Sequence, residues 1–260
     1  MSNEENGALQ QYKTPKNLNT RISIHNKYSV NKLGFSNWLF SQYKLESGMR
    51  VLEVGCGNGE AWKGRLQALD TLSKLVLTDL SDGMLAAAKD ALGENERLSF
   101  VKADVQALPF ESASFDAVIA NMMLYHVPDI GRGLSEIARV LSRGGCLYAA
   151  TFGENGIASY VADMLKPYGC DFRQNLNFTL QNGEGILRAH FASVRKALYE
   201  DSLVVTCAED LTDYILSLSG ISSALTLTRD ELTAVIKSKM VRGKLTVPKE
   251  YGMFICQNGL

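Results

Sequence analysis

Between Val51 and Gly59, the run Val-Leu-Glu-Val-Gly-Cys-Gly-Asn-Gly sets a short apolar stretch, a carboxylate and three alternating glycines side by side. Val51, Leu52 and Val54 have the side chains of a buried strand. Gly55, Gly57 and Gly59 let the backbone turn sharply and approach a ligand with no Cβ in between. A helix is expected over Glu60–Leu69, which would place a helix N-terminus beside the turn. A dinucleotide fingerprint needs G-x-G-x-x-G, leaving room for a pyrophosphate. Here position 60 is Glu, Glu53 lies inside the strand, and no basic residue in the loop would neutralise phosphate. A nicotinamide oxidoreductase is disfavoured on that ground.

Three later segments carry polar groups at the ends of apolar runs. Leu75–Asp79 reads as a second strand whose acid falls about 20 residues beyond the glycines, where a carboxylate can accept both hydroxyls of a ribose. The alternative is a helix-capping Asp79, because Ser81 and Asp82 also precede an apolar helix. Leu98–Asp104 reads as a third strand, followed by Val105 and Gln106. Asp104 is either a ligand acceptor, with the Val105 N–H beside it, or an ordinary turn aspartate. Ser114–Asn121 reads as a fourth buried strand, with Asn121-Met-Met-Leu-Tyr-His-Val127 leaving its carboxyl end, where open α/β sheets bind ligands.

Taken together and in this order, the segments resemble the motifs of class I S-adenosylmethionine-dependent methyltransferases. The likeness is nearest to the ubiquinone/menaquinone-biosynthesis-like (methyltransferase type 11) branch, whose members act mainly on small molecules, and it covers about residues 20–155. It implies an α/β, Rossmann-like, doubly wound sheet of seven strands in the order 3-2-1-4-5-7-6. The sheet is mostly parallel, with one antiparallel strand near the C-terminus and a helical cap. S-adenosylmethionine would be the cofactor and S-adenosylhomocysteine its product. The implied cofactor-binding set is Arg21, Tyr28, Glu53, Gly55, Cys56, Gly57, Asn58, Gly59, Asp79, Leu80, Met84, Asp104, Val105, Gln106, Asn121 and Met122. In it, Glu53 favours the sulfonium and ammonium, and Asp104 and Val105 form the adenine corner. The backbone of Asn121 and Met122 faces the methionine moiety, and Tyr125 and His126 lie over the reactive methyl. The pairs of motifs that grip an exocyclic amine or supply a thiolate for pyrimidine chemistry in other branches are missing.

The remaining elements must hold these groups in place. A helix is expected over Ile130–Leu141, then Arg143-Gly-Gly145 and a fifth strand at Cys146–Thr151. Glu184–Phe191 reads as a helix before a sixth strand at about Val194–Glu200, and Met253–Cys256 as the last strand. Helices over Glu209–Ser219 and Arg229–Val241 would then cap the carboxyl end of the sheet and bound the acceptor pocket. Residues 1–45 are expected to form an N-terminal helical lid, with an amphipathic helix at Gly34–Tyr43, and residues 46–260 the methyltransferase domain, with cap elements at about 152–182 and 209–241. Lys13, Lys16, Arg21, Lys27 and Lys32 occur without an acid between Tyr12 and Lys32. That run reads as a solvated face or, by resemblance, as a lid whose Arg21 or Tyr28 meets the methionine carboxylate.

Composition narrows the function classes. The 27 basic and 28 acidic residues leave a net charge of −1, without the basic stripe of most nucleic-acid enzymes. The polar first 20 residues and the lack of an 18-residue apolar run point to a cytoplasmic protein with no membrane span. Five cysteines without C-x-x-C spacing argue against zinc. His126 is the candidate general base, needed only if the acceptor still carries its proton; its alternative is a pocket-shaping residue. His25 and His190 are weaker candidates. A small-molecule methyltransferase is the leading expectation. The alternatives are an RNA or protein methyltransferase and a cofactor-binding protein without transfer activity; acceptor and oligomeric state stay open.

Overall fold

The structure, a computed structural model, describes residues 16–172 and 174–259. The first 15 residues of the expected lid, and residue 173 within the expected cap, lie outside the described residues. Seven strands form one sheet: β1 (Arg50–Val54), β2 (Lys74–Asp79), β3 (Leu98–Lys102), β4 (Phe115–Asn121), β5 (Leu141–Phe152), β6 (Ser193–Val205) and β7 (Leu245–Gln257), in the order β3-β2-β1-β4-β5-β7-β6. β1 to β5 pair in parallel, and β7 runs antiparallel to both β5 and β6. The expected topology is the observed one.

The apolar runs become strands because both faces of the parallel sheet are covered. On one face Leu52, Val54, Val118 and Leu147 pack against Leu134, Ile137 and Val140 of α4 (Ile130–Val140). On the other, Val51, Leu75, Leu77 and Ile119 meet Leu39 of α2 (Phe35–Gln42), Trp62, and Ala88 and Leu92 of α3 (Asp82–Leu92). A third core lies beyond the sheet. There Ile24 of α1 (Lys16–Tyr28), Val161 of α5 (Ile157–Leu165), Leu211 and Ile215 of α7 (Ala208–Ser217) and Ile236 of α9 (Arg229–Lys239) close on Leu203, Val205, Leu245 and Val247. Two short helices, α6 (Gly183–Leu187) and α8 (Ser219–Ala224), complete the order. No helix among the described residues is long and apolar enough to cross a membrane.

Three expectations are corrected. The helix over Glu60–Leu69 is replaced by two 3-10 turns, Glu60–Trp62 and Leu66–Asp70. Gly64 between them has φ +72°, left-handed backbone through which a right-handed helix does not run. That break leaves Trp62 buried under the sheet instead of on a helix face. The helix at Glu184–Phe191 shortens to α6. The last two strands are far longer than Val194–Glu200 and Met253–Cys256. They form a continuous 13-residue ribbon in which Asp201 and Lys249 interrupt the apolar pattern yet sit inside the protein.

Candidate active site

The glycine turn leaves β1 at the carboxyl end of the sheet. Gly55, Gly57 and Gly59 all have positive φ. A Cβ at Gly55 would stand 2.9 Å from the Met123 side chain, and one at Gly59 2.9 Å from Leu92. So Gly55 admits the segment after β4, and Gly59 admits α3 against the turn. Met122, next to that contact, is held at φ +53° with its N–H on the Ala150 carbonyl at 2.9 Å. A methionine in left-handed backbone is strained, and such strain gathers at ligand sites.

Asp79 ends β2 and spans the mouth of the turn. Its carboxylate accepts the Gly57 N–H at 2.9 Å and the Ser81 N–H at 2.9 Å, while burial pushes its pKa up. The cap of α3 is Ser81, whose hydroxyl accepts the Met84 N–H. Helix capping therefore does not account for Asp79. Beside it Leu80 is 41 % exposed, whereas Met84 is buried.

Glu53 lies beneath the turn, buried at 2 % exposure. Trp62 Nε1 donates to one oxygen at 2.6 Å and Asn121 Nδ2 to the other at 3.2 Å. The Asn121 amide also meets the Tyr43 hydroxyl at 2.9 Å. Burial raises the Glu53 pKa to about 7 against those two hydrogen bonds. Glu53 thus serves the frame: it ties the turn to the end of β4 and, through Tyr43, to the segment after α2. Cys56 is buried, and burial pushes its thiol up, so a thiolate is not available there.

At the third strand Asp104 closes a turn: its Oδ1 accepts the Gln106 N–H at 2.8 Å, and Gln106 Nε2 reaches Oδ2 at 3.1 Å. The turn reading of Asp104 is borne out geometrically and does not remove it from the rim. Gln106 is further committed, accepting Asp129 N–H at 3.0 Å and Arg132 Nε at 2.8 Å. Glu136 and Arg139 of α4 pin the next residues, accepting Leu108 N–H at 2.8 Å and donating to the Leu108 and Phe110 carbonyls. Asn58 and Val105 complete the ring, Asn58 half-buried and Val105 buried.

The lid is where the sequence reading departs furthest from the structure. The Tyr28 hydroxyl donates to Asp210 on α7 at 2.5 Å, and Lys27 pairs with the same carboxylate at 3.0 Å. Tyr28 is held on the cap, away from the glycine turn, because α1 spends its apolar face on α7 and its polar end on the first turn of that helix. Val30 N–H then bonds the Ser202 carbonyl on the edge strand β6 at 3.0 Å, and Ser29 and Asn31 reach Asp201. Arg21 sits where its charge lowers the His126 pKa and bears on Tyr214 and Tyr251.

His126 closes the short turn after β4, its ring 4.4 Å from Tyr125, which stacks obliquely 4.6 Å from Phe152. Burial and the Arg21 charge bring His126 down to about 4. It is uncharged at neutral pH and a weak base, which weighs against the general-base reading and towards the pocket-shaping one. Tyr43, Trp62, Arg132 and Glu136 are the site residues that sequence reasoning missed; none carries a motif, since each acts only through the residue it touches.

Residues 52–149 match the family described as a methyltransferase domain. The chain is 38% identical over 116 residues to the ubiquinone/menaquinone biosynthesis C-methyltransferase of Rhizobium etli, which spans 43% of this chain and 44% of that protein. It is 35% identical over 112 residues to the malonyl-[acyl-carrier protein] O-methyltransferase of Legionella pneumophila, or 43% of this chain and 39% of that one. The chain thus spans less than half the length of these relatives. Phosphoethanolamine N-methyltransferase 2 of Haemonchus contortus, solved with S-adenosyl-L-methionine, shares the fold at a TM-score of 0.61 and 21% identity, covering 95% of this chain and 58% of that one. These matches fall on the stretch that builds the turn, the acid rim and β4, so it is this part of the chain that is similar to a methyltransferase domain.

Proposed function

We propose that the protein moves a methyl group from S-adenosylmethionine to a small-molecule acceptor. The observation that carries this reading is the Asp79 carboxylate, which braces Gly57 across the mouth of the glycine turn and keeps its outward lone pairs for the two hydroxyls of a ribose. The donor set fits the cofactor: a left-handed glycine turn without basic side chains, a carboxylate at the sugar position, and an exposed Leu80 beside it for a flat base.

The residues then divide the work. Gly55, Cys56, Gly57, Asn58 and Gly59 present backbone to the aminoacyl end. Asp79 holds the sugar, Leu80 and Met84 flank the base, and Asp104 takes the adenine amino group by releasing the Gln106 amide, with Val105 N–H on a ring nitrogen. Glu53 acts through Asn121, whose backbone with that of Met122 borders the methionine moiety, and Arg21 supplies positive charge for its carboxylate. S-adenosylmethionine, when bound, supplies an electrophilic methyl on a sulfonium. Because transfer discharges that sulfonium, alignment outweighs charge stabilisation, and holding the partners in line contributes up to roughly 7–11 kcal/mol. His126 and Tyr125 shape the acceptor side; His126, neutral and weakly basic, accepts or donates one hydrogen bond there. The residues through 45 act as lid and those from 46 as the catalytic unit, and the protein works in the cytoplasm.

Acceptors of polyanionic type are disfavoured by the fold, since Lys27 is paired with Asp210 and Lys32 donates to the Ser29 carbonyl. Incubation of the protein with methyl-labelled S-adenosylmethionine and a cell extract separated into metabolite, RNA and protein fractions tests the reading. Label is expected among the small metabolites; label confined to RNA or protein would contradict it.

A further inference from the structure

Asp201 and Glu53 are both enclosed carboxylates, balanced in different ways. Asp201 has the Lys249 ammonium at 2.7 Å. Glu53, near the end of β1, has only neutral donors, Trp62 Nε1 on one oxygen and Asn121 Nδ2 on the other, and no Lys or Arg pairs with it among the described residues. The ionisable groups that face it are Asp79 from β2, Cys56 from the glycine turn and Tyr43 from the segment after α2. Each of these can only gain negative charge, and the Arg65 charge bears on Tyr43. A carboxyl so placed is favoured as the neutral acid, and burial lifts Glu53 to about 7.

Its partners accept either form. The Asn121 carboxamide holds its nitrogen 3.2 Å from Glu53 and 2.9 Å from the Tyr43 hydroxyl, and its oxygen 3.1 Å from that same hydroxyl. As set, the amide donates to an ionised Glu53. Turned over, it accepts from a protonated one, and the Tyr43 hydroxyl, both donor and acceptor, satisfies the other end in either case. The frame therefore survives gain or loss of the proton. What decides between the two forms is the charge held at the glycine turn. On the methyltransferase reading, S-adenosylmethionine brings a sulfonium and an ammonium there and S-adenosylhomocysteine the ammonium alone. A nearby cation favours the ionised carboxyl.

We propose that Glu53 tells the charged cofactor from its spent product by exchanging a proton. It is a neutral acid in the empty turn, gives its proton to solvent as S-adenosylmethionine binds, and takes one back from solvent once the sulfur has lost its charge. The inference rests on the methyltransferase reading. It adds a residue that sets which of the two ligands the turn prefers, and makes that preference depend on pH.

Calorimetry at pH 6, in buffers of different ionisation heat, counts the protons. Wild-type protein should release roughly 0.5–1 proton per S-adenosylmethionine bound, and clearly less with S-adenosylhomocysteine. The affinity ratio of the two ligands should rise roughly 2–5-fold in favour of S-adenosylmethionine from pH 6 to 7. Asp79 serves the ribose of both ligands and so drops out of the comparison, and His25 and His126, held down to about 3 and 4, stay neutral throughout. In Glu53→Gln both differences should vanish. Infrared spectra of the ligand-free wild type give a second measure that needs no variant: a protonated-carboxyl band at pH 6 that fades by pH 8. Equal proton counts for the two ligands, a difference that survives Glu53→Gln, or no such band would overturn the proposal. Heat from neither ligand would sink the methyltransferase reading and the proposal together, whereas heat without a proton difference sinks the proposal alone.

Discussion

The half of the molecule built on β1 to β4 and the half built on the β6–β7 ribbon solve opposite problems. In the first, the acids of the rim stand at strand ends and are fixed by neighbours close in sequence or by a backbone N–H: Asp79 by Gly57 and Ser81, Asp104 by Gln106. In the second, a buried Lys249–Asp201 pair at 2.7 Å, both side chains fully enclosed, joins strand to strand and strand to the N-terminal segment through Ser29 and Asn31. Rings of Phe35, Tyr199 and Tyr251 surround the ammonium at 4.9–5.8 Å. Local chemistry makes the first half a binding rim; long-range chemistry makes the second a fixed wall.

Lys249→Met should separate the halves most sharply. It strands the Asp201 carboxylate, which Lys249 and Ser29 hold below its usual pKa against the opposing effect of burial. Breaking such a pair costs about 3–5 kcal/mol. Denaturant unfolding should show that loss, while the affinity for S-adenosylhomocysteine in the folded protein stays near wild type. Equal stability would mean the ribbon is not held by this pair.

Gly55→Ala should do the reverse. The left-handed backbone alone costs about 1–2 kcal/mol, and the new methyl meets Met123 at 2.9 Å. Cofactor affinity should collapse with a modest fall in Tm; retained affinity would show that the turn tolerates a side chain and is no cradle.

The pH dependence divides along the same line. His25 and His126, held down to about 3 and 4, stay neutral in the fold while the unfolded chain takes up their protons near pH 6.5, so their contribution is complete above that pH and is lost as pH falls. Glu53 acts in the opposite sense. Raised from 4.5 to about 7, it holds a proton in the fold that the unfolded chain has released, a contribution present at low pH and lost as pH rises through 7. Among these three groups, two against one make their joint contribution fall by about 1 kcal/mol per pH unit between pH 6 and 4.5. Glu53→Gln should about double that slope, and an unchanged slope would remove Glu53 from the balance.

The same division explains what could be read in the sequence. The first strands, the glycine turn and the acid of Asp79 were legible because apolar runs, closely spaced glycines and strand-end acids leave marks within a few residues of one another, whereas the strand order was implied only by the family resemblance those motifs carry. The helix expected after Gly59 failed because Gly64 breaks a stretch whose composition is otherwise helical. Tyr28 was placed at the cofactor and lies instead on Asp210, 182 residues away in sequence, a partnership no local pattern announces. The long β6–β7 ribbon was cut short for a related reason: Asp201 and Lys249 read as surface charges until each is seen to bury the other.

Calorimetric titration of S-adenosylhomocysteine into wild-type protein and into Asp79→Ala bears most directly on the central claim. With two ribose hydrogen bonds to a charged acceptor removed, at about 1.5–3 kcal/mol each, affinity should fall at least roughly tenfold while the protein stays folded. Equal heats and equal affinities in the two proteins would contradict it.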